Sequence, residues 1–179
     1  MHPVVGIDTS LTDTGIALIR DPQPQAPVEL RRVRSKGKAT DTLSQRRERL
    51  DRIAGQIVRE TLSIGPELVV IEAPSFGSKH GHAHDRSGLW WLVVFSLTAH
   101  VPVLEVAPTK RMKYATGKGQ VAKDVVLTSV VRRYPWVQVA DNNEADALVL
   151  AAIGARLLGA PVEPDLPKGH LGAMDGLSL

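Results

Sequence analysis

The sequence 4-VVGIDTSLTDTGIALI-19 contains the pattern that decides the fold. Its first part, residues 4–8, is a short apolar run that ends in an acid, and residues 15–19 form a second apolar run. The segment between them, residues 9–14, is rich in residues that form turns. Two short apolar strands joined by a turn are typical of a β-hairpin. After a proline-rich turn, residues 28–35 alternate in part between apolar and basic, which predicts a third strand.

The rest of the chain alternates between helices and two further buried strands. Residues 42–62 carry apolar side chains at helical spacing, and Thr42 with Gln45 forms a capping box. Residues 68–71 are wholly apolar and lead into Glu72, as expected for a central strand covered on both faces. The remaining predicted elements are a polar loop (73–87), an almost wholly apolar helix (88–100), a buried strand (101–106), a short helix (110–114) and two longer helices (120–134 and 142–158). This order predicts an α/β fold with a mixed five-stranded sheet, antiparallel in its first three strands and parallel afterwards, flanked by helices.

Composition and charge narrow the class of protein. The chain has 179 residues, no cysteine and a formal net charge of +3. The lack of cysteine excludes disulfides and thiolate metal sites. No apolar run approaches the ~20 residues that span a bilayer, and no signal-peptide pattern opens the sequence, so we expect a cytoplasmic protein. Basic residues concentrate in four stretches, whereas acids gather near the start, the middle and residues 141–146. An acidic focus on a basic body suits a metal-dependent enzyme that acts on a polyanion, although ordinary solvated faces give the same pattern.

Three acids stand where strands end or a helix begins. Asp8 closes the first strand, Glu72 closes the fourth, and Asp146 lies in the first turns of the last helix. If the first and fourth strands are adjacent and parallel, Asp8 and Glu72 share one edge of the sheet. Carboxylates that converge there repel one another unless cations compensate, and oxygen ligands suit Mg²⁺ or Mn²⁺, as one ion or as two. The alternatives are that Asp8 caps its turn and that Asp146 interacts with the helix dipole.

Four segments resemble, in order, the motifs of one known family. GIDTSLTDTGIALI, VVIEAPSFG, EVAPTKRMKYATGKGQVAKDVV and NNEADALVLA are similar to motifs of the RuvC-type Holliday-junction resolvases, the crossover junction endodeoxyribonucleases of the ribonuclease H-like superfamily. The resemblance implies a ribonuclease H-like nuclease domain over residues 1–159, and residues 160–179 are expected to form a loosely ordered tail. It also implies a structure-selective endonuclease that cleaves Holliday junctions or other branched DNA by metal-dependent phosphodiester hydrolysis.

The resemblance assigns roles to individual acids. Asp8, Glu72 and Asp146 are the implied metal ligands and catalytic residues, with Mg²⁺ as cofactor and Mn²⁺ as its substitute. The family has a fourth metal-site residue, an acid or a histidine, one helical turn before the last acid. Here that residue is Asn143, whose amide oxygen can bind a metal but brings no negative charge. This departure leaves open whether a second metal binds.

A basic stretch and a polar loop are the candidates for DNA contact. The resemblance brings Lys113 and Lys123 of the basic stretch to the scissile phosphate and implies a catalytic role for Lys123. In the loop after Glu72, Phe76 suits a wedge between bases. The predicted DNA contacts are Phe76, Lys79, Lys110, Lys113, Lys118 and Lys123, and Arg111 belongs to the same basic stretch. The alternatives are a solvated basic face and a Phe76 packed into the protein body.

The apolar helix and the histidine-rich loop need separate interpretations. The helix contains Trp90, Trp91 and Phe95, and the resemblance implies a homodimer that forms through it; an ordinary core helix is the alternative. His80, His82 and His84 alternate along the loop without the fixed spacing of a metal site, so they receive no assigned role.

Three other functions are weighed against a branched-DNA nuclease. An actin-like ATPase lobe also opens with Gly-Ile-Asp followed by Thr-Gly, but this chain is short and lacks a second Asp-Gly phosphate motif. A non-catalytic or weakly catalytic branched-DNA-binding protein derived from a nuclease is kept open by Asn143. A ribonuclease acting on RNA–DNA hybrids differs by substrate and not by sequence. The expected setting is a bacterial cell or a phage-infected host, and the compact size fits a phage-encoded protein.

Overall fold

The structure is a computed structural model that describes residues 2–74, 82–163 and 165–179. The strands are β1 (Val4–Asp8), β2 (Asp13–Ile19), β3 (Glu29–Arg34), β4 (Leu68–Glu72) and β5 (Val103–Val106). The helices are α1 (Leu43–Leu62), α2 (Ala83–Thr98), α3 (Pro108–Thr116), α4 (Lys123–Arg133), α5 (Asn142–Leu157) and α6 (Lys168–Leu171). The strands form one sheet in the order β3-β2-β1-β4-β5, which confirms the predicted mixed five-stranded sheet flanked by helices. Within the described ranges, no helix combines the length and the apolar character needed to cross a membrane.

The two strands that end in acids, β1 and β4, are parallel neighbours in the middle of the sheet. Ile7 of β1 pairs with Ile71 of β4, so Asp8 and Glu72 follow at the same edge. β2 runs antiparallel to β1, and β3 antiparallel to β2, as expected for strands joined by short turns. β5 runs parallel to β4, and α2 makes the crossover between them. The register therefore places two of the predicted acids side by side.

The sheet separates two hydrophobic clusters. On one face, α1 and α2 pack against alternate strand residues, among them Val69 and Ile71. On the other face, α3, α4 and α5 pack against the strand residues that alternate with these, among them Leu68 and Val70. Successive side chains of a strand point to opposite faces of a sheet. Glu72 therefore belongs to the face that α5 covers.

Helix α5 approaches the sheet closely because glycine stands at two contact points. A β-carbon on Gly6 would lie 2.2 Å from the carbonyl oxygen of Ala147 and 2.3 Å from the amide nitrogen of Ala151. A β-carbon on Gly15 would lie 2.2 Å from the carbonyl oxygen of Asn143. These distances are too short for non-bonded atoms, so only glycine fits at both positions. The glycines thus set the distance between the sheet and the helix that carries Asp146.

The helix boundaries agree with the sequence at α1 and differ at α2. At α1, the Thr42 hydroxyl accepts a bond from the Gln45 amide at 3.3 Å, and the Gln45 side chain accepts one from the Thr42 amide at 2.8 Å, which confirms the capping box. Helix α2 begins at Ala83 and not at residue 88. Asp85 of its first turn is 8% exposed and is held by Arg46 of α1, with Nε 3.0 Å from Oδ2. Residues 83–87, which were predicted to belong to a loop, are therefore the first residues of α2, and a distant arginine binds the acid among them.

The described part of residues 160–179 packs against the domain, although we expected it to be loosely ordered. Val162 and Ala173 are fully buried in the same cluster as α5. The carboxylate of Glu163, 3% exposed, accepts a bond from the Tyr134 hydroxyl at 2.6 Å. The composition of this segment resembles that of a free tail, but a few buried contacts fix it in place.

Candidate active site

Asp8 and Glu72 line one cleft at the carboxyl edge of β1 and β4. Glu72 ends β4, and its side chain is 16% exposed. Asp8 ends β1 two residues after Gly6, which contacts α5, so the Asp8 side chain points to the face of the sheet that α5 covers. The Glu72 side chain points to the same face. The structure therefore brings together the two acids that the sequence placed at strand ends.

Helix α5 adds three polar side chains to the same cleft. Asp141 caps the helix, because its carboxylate accepts a bond from the Glu144 amide at 3.1 Å. Asn142, Asn143 and Asp146 follow in the first turns and line the cleft. The Oδ1 atom of Asn142 is buried and has no hydrogen-bond partner among the described residues. An oxygen left without a partner beside a cluster of acids is suited to a cation or a water molecule.

Arg111 of α3 links two of the acids, and this contact was missed by the sequence analysis. Its Nε donates to Oε2 of Glu72, and its Nη1 donates to Oδ1 of Asp146. The Arg111 side chain is 9% exposed, and those of its two partners are 16% and 15% exposed. Because β5 pairs with β4 up to Val106, the helix that follows β5 starts beside Glu72. In the sequence, Arg111 was grouped with the cations of the basic stretch that suit DNA contact, and its pairing with the acids could not be recognised there.

The acids of the cleft raise the pKa of Arg111 above its ordinary value. Burial by itself lowers the pKa of the guanidinium, because it penalises the charged form. The carboxylates of Glu72 and Asp146, with a smaller effect from Asp8, outweigh burial and raise the pKa above its ordinary value. Arg111 is therefore charged at any physiological pH, and all three acids act on it.

The donor chemistry of the cleft suits a hard divalent cation. Four acids, Asp8, Glu72, Glu105 and Asp146, line the cleft with Asn142 and Asn143. Mg²⁺ and Mn²⁺ prefer carboxylate and amide oxygens as ligands. No group of three or more histidine, aspartate or glutamate side chains within the described ranges is arranged as a preformed metal site. Arg111, which already neutralises part of the negative charge, stands between Glu72 and Asp146.

The predicted DNA-contacting lysines are in different environments. Lys118 is exposed after α3, as a DNA contact requires. Lys110 and Lys113 instead donate to backbone carbonyls of the C-terminal segment, those of Asp175 and Gly172, the latter at 3.1 Å. Lys123 is the first residue of α4.

Part of the predicted DNA-binding surface cannot be placed. Phe76 and Lys79 lie outside the described residues, as does His80. His82 and His84 are exposed at the start of α2. Arg86 of α2 is exposed and lines the cleft, although the sequence analysis did not select it.

The aromatic residues of α2 divide between the core and the surface. Trp90 is 6% exposed, and its indole N–H donates to the carbonyl oxygen of Glu72 at 2.8 Å. Trp91 packs edge-to-face on Trp90 and is 64% exposed, whereas Phe95 is 80% exposed. Trp90 therefore anchors α2 to the end of β4, and the predicted homodimer through this helix stays a prediction that depends on its exposed residues.

Comparison with solved structures identifies the fold. Thermus thermophilus RuvC is 21% identical with a TM-score of 0.66, over 88% of this chain and 97% of that chain. T. thermophilus RuvC in complex with Holliday junction substrate is 19% identical with a TM-score of 0.65, over 89% and 98%. The yeast mitochondrial Holliday junction resolvase Ydc2 is 10% identical with a TM-score of 0.51, over 83% and 75%. No protein-family model and no curated protein sequence matches the chain. The fold is the ribonuclease H-like fold of these resolvases.

Proposed function

We propose that this chain is a metal-dependent endonuclease that cleaves Holliday junctions or other branched DNA. The observation that carries the proposal is the convergence of Asp8, Glu72 and Asp146 on one cleft. This arrangement occurs in a fold that aligns over 98% of a RuvC chain solved with its Holliday junction substrate. The nuclease domain is residues 1–159, completed by the packed C-terminal segment, and its setting is the cytoplasm of a bacterial cell or of a phage-infected host.

The residues of the cleft have separate tasks in this function. Asp8, Glu72 and Asp146, with the Asn143 amide oxygen, would hold Mg²⁺ or Mn²⁺. Such an ion would act as a Lewis acid on the phosphodiester and lower the pKa of an attacking water. Arg111 orients two of the carboxylates, because it binds one oxygen of each. Fixed carboxylates matter because metal ligands and reacting groups accelerate a reaction only when they are held in the right positions.

Cationic and aromatic residues around the cleft would bind the DNA. Lys118 and Arg86 are exposed, and Arg86 lines the cleft itself. As the resemblance implies, Lys123 would contact the scissile phosphate, and Phe76 with Lys79 would contact the DNA at the branch point. Lys110 and Lys113 would reach DNA only by exchanging their bonds to the C-terminal segment for phosphate oxygens. Contacts of this type give affinity that falls with salt.

The exposed apolar face of α2 would join two copies of the chain. Trp91, Leu92 and Phe95 are 64%, 42% and 80% exposed. Large apolar side chains grouped on one surface mark interaction sites in soluble proteins. Two copies would supply two clefts, as two cuts in a junction require. We expect Phe95→Asp to convert a dimer into a monomer in light scattering, and a wild-type protein that stays monomeric at high concentration would contradict this part of the proposal.

Cleavage of defined substrates tests the function. The protein is incubated with labelled four-way junction, Y-fork, linear duplex and RNA–DNA hybrid, in Mg²⁺, Mn²⁺ or EDTA. We expect metal-dependent cleavage of the branched DNA that is lost in Asp8→Asn. Asp51→Asn removes an exposed acid of α1 and is the matched control, which should cleave like wild type. Cleavage of the hybrid alone would identify a ribonuclease instead.

A branched-DNA-binding protein with little or no cleavage is the second candidate. Two observations favour it: Asn143 contributes no charge to the cleft, and Arg111 already pairs with Glu72 and Asp146. The same assay separates the two functions. Tight binding of the four-way junction without cleavage in either metal would support this candidate and contradict the nuclease.

A further inference from the structure

We propose that Arg111 is a permanent cation of the acidic cleft, and that the cleft therefore binds one divalent ion per chain and not two. This inference rests on the proposed metal-dependent function and specifies its ion count. It concerns the contacts between Arg111 and the carboxylates of Glu72 and Asp146.

The first argument is the geometry of the guanidinium. Arg111 donates through two different nitrogens to two different carboxylates, one at the end of β4 and one on α5. A planar guanidinium suits such a bridge, because its donors are fixed in a fork. Each bond uses an oxygen that a second ion would need as a ligand. Arg111 therefore competes with a second ion for the oxygens of Glu72 and Asp146.

The second argument is that Arg111 cannot easily withdraw. The side chain is 9% exposed, so leaving the acids would strand a buried charge. The helix that carries it is fixed on both sides. Tyr114 and Ala115 of α3 are fully buried, the Tyr114 hydroxyl accepts a bond from Arg156 at 2.8 Å, and Lys113 is bonded to the C-terminal segment.

The third argument is charge balance. The acids that line the cleft, Asp8, Glu72, Glu105 and Asp146, bring four negative charges, its two arginines, Arg86 and Arg111, bring two positive charges, and Asn143 brings none. One divalent ion supplies the two positive charges that are missing and neutralises the cleft. Two divalent ions would leave an excess of two positive charges in the cleft, which is unfavourable because like charges repel.

Calorimetric titration with Mn²⁺ tests the ion count without measuring cleavage. The proteins are wild type, Arg111→Gln, which removes the charge, Arg111→Lys, which keeps it, and Asp8→Asn as the control for binding at this cleft. We expect one ion per chain for wild type and for Arg111→Lys. For Arg111→Gln we expect either a second ion or at least about tenfold tighter binding of the first, because a positive charge has been removed. Asp8→Asn should weaken binding in every case.

The other outcomes overturn the inference in distinguishable ways. Two ions on wild type would refute it while supporting a metal-dependent nuclease, and this result does not depend on whether Arg111→Gln folds. Unchanged count and affinity in Arg111→Gln would show that the guanidinium does not share the site. Ion binding by Arg111→Gln but not by wild type would show that Arg111 excludes the metal. No binding by any of the proteins would contradict the proposed metal-dependent function itself.

Discussion

Replacing Gly6 with alanine should displace the helix that carries Asp146. Gly6 lies on β1, and a β-carbon there would be 2.2 Å from the carbonyl oxygen of Ala147 and 2.3 Å from the amide nitrogen of Ala151. Both atoms belong to the backbone of α5, so no side-chain rotation relieves the clash. To restore a contact of about 3.5 Å, the helix and the strand must separate by roughly 1 Å.

The cost can be estimated from this displacement. Overpacking of a well-packed core costs about 1–3 kcal/mol, and we place Gly6→Ala near 3 kcal/mol because the backbone itself must move. For a chain of this size, each kcal/mol lowers the melting temperature by roughly 2–4 °C, which gives a decrease of about 6–12 °C. A displacement of about 1 Å at Asp146 should also lower the cleavage rate roughly 100-fold.

Thermal unfolding followed by circular dichroism measures the first effect, and cleavage of a four-way junction below the melting temperature measures the second. Gly55→Ala is the matched control, because a β-carbon there meets only the Arg59 side chain at 3.4 Å. Since Gly55 lies within α1, alanine should stabilise the protein by about 0.5–1 kcal/mol. If Gly6→Ala melted at the wild-type temperature or above, the close approach of α5 to β1 would be refuted.

Three further predictions concern the charges. Arg111→Gln in EDTA should lose roughly 3 kcal/mol of unfolding free energy because it removes the buried guanidinium that binds the carboxylates of Glu72 and Asp146. Arg20→Gln, at an exposed ion pair, should lose at most about 1 kcal/mol, and equal losses in denaturant titrations would contradict the role of the Arg111 bridge. Burial, and then the Glu163 carboxylate, raises the pKa of Tyr134 well above 10, so its contribution to stability is complete below about pH 10 and is lost as the pH rises further. Tyr134→Phe should therefore make the fall in unfolding free energy above about pH 10 shallower by up to about 1.4 kcal/mol per pH unit, and an unchanged slope would refute this assignment. Lys118→Ala should reduce by roughly one the slope of log affinity for junction DNA against log salt, and an unchanged slope would show that Lys118 does not contact phosphate.

The sequence predicts the features that depend on local pattern. Asp8 and Glu72 end apolar runs, and the hairpin signal before α1 is strong enough to indicate the sheet order near β1. The capping box at Thr42 needs only residues three apart, so it is readable without a structure. These signals indicate the elements of the fold, whereas the parallel pairing of β1 and β4 that brings the two acids to one edge was a condition in the sequence analysis and comes from the structure.

The features that the sequence analysis missed depend on contacts between distant residues. Arg111 looks like one more cation in a basic stretch until β5 is placed beside β4. The first turn of α2 is bonded through Asp85 to Arg46, which is far away in the sequence. The C-terminal segment has the composition of a free tail, and it is fixed by apolar contacts and by bonds to distant residues, such as that between Tyr134 and Glu163 and that from Lys113 to the Gly172 carbonyl.

Because the Trp90 indole is bonded to the carbonyl oxygen of Glu72, the fluorescence of Trp90 can report on changes in the cleft. Trp90 lies in the core, 2.8 Å from the backbone of the residue whose side chain binds Arg111. Indole emission responds to the electric field around the ring, and the other two tryptophans are in different settings: Trp91 is largely exposed, and Trp136 donates to the carbonyl oxygen of Ala26. In a protein whose other tryptophans are replaced by phenylalanine, the fluorescence of Trp90 would follow ion uptake at Glu72 in real time, without an attached dye.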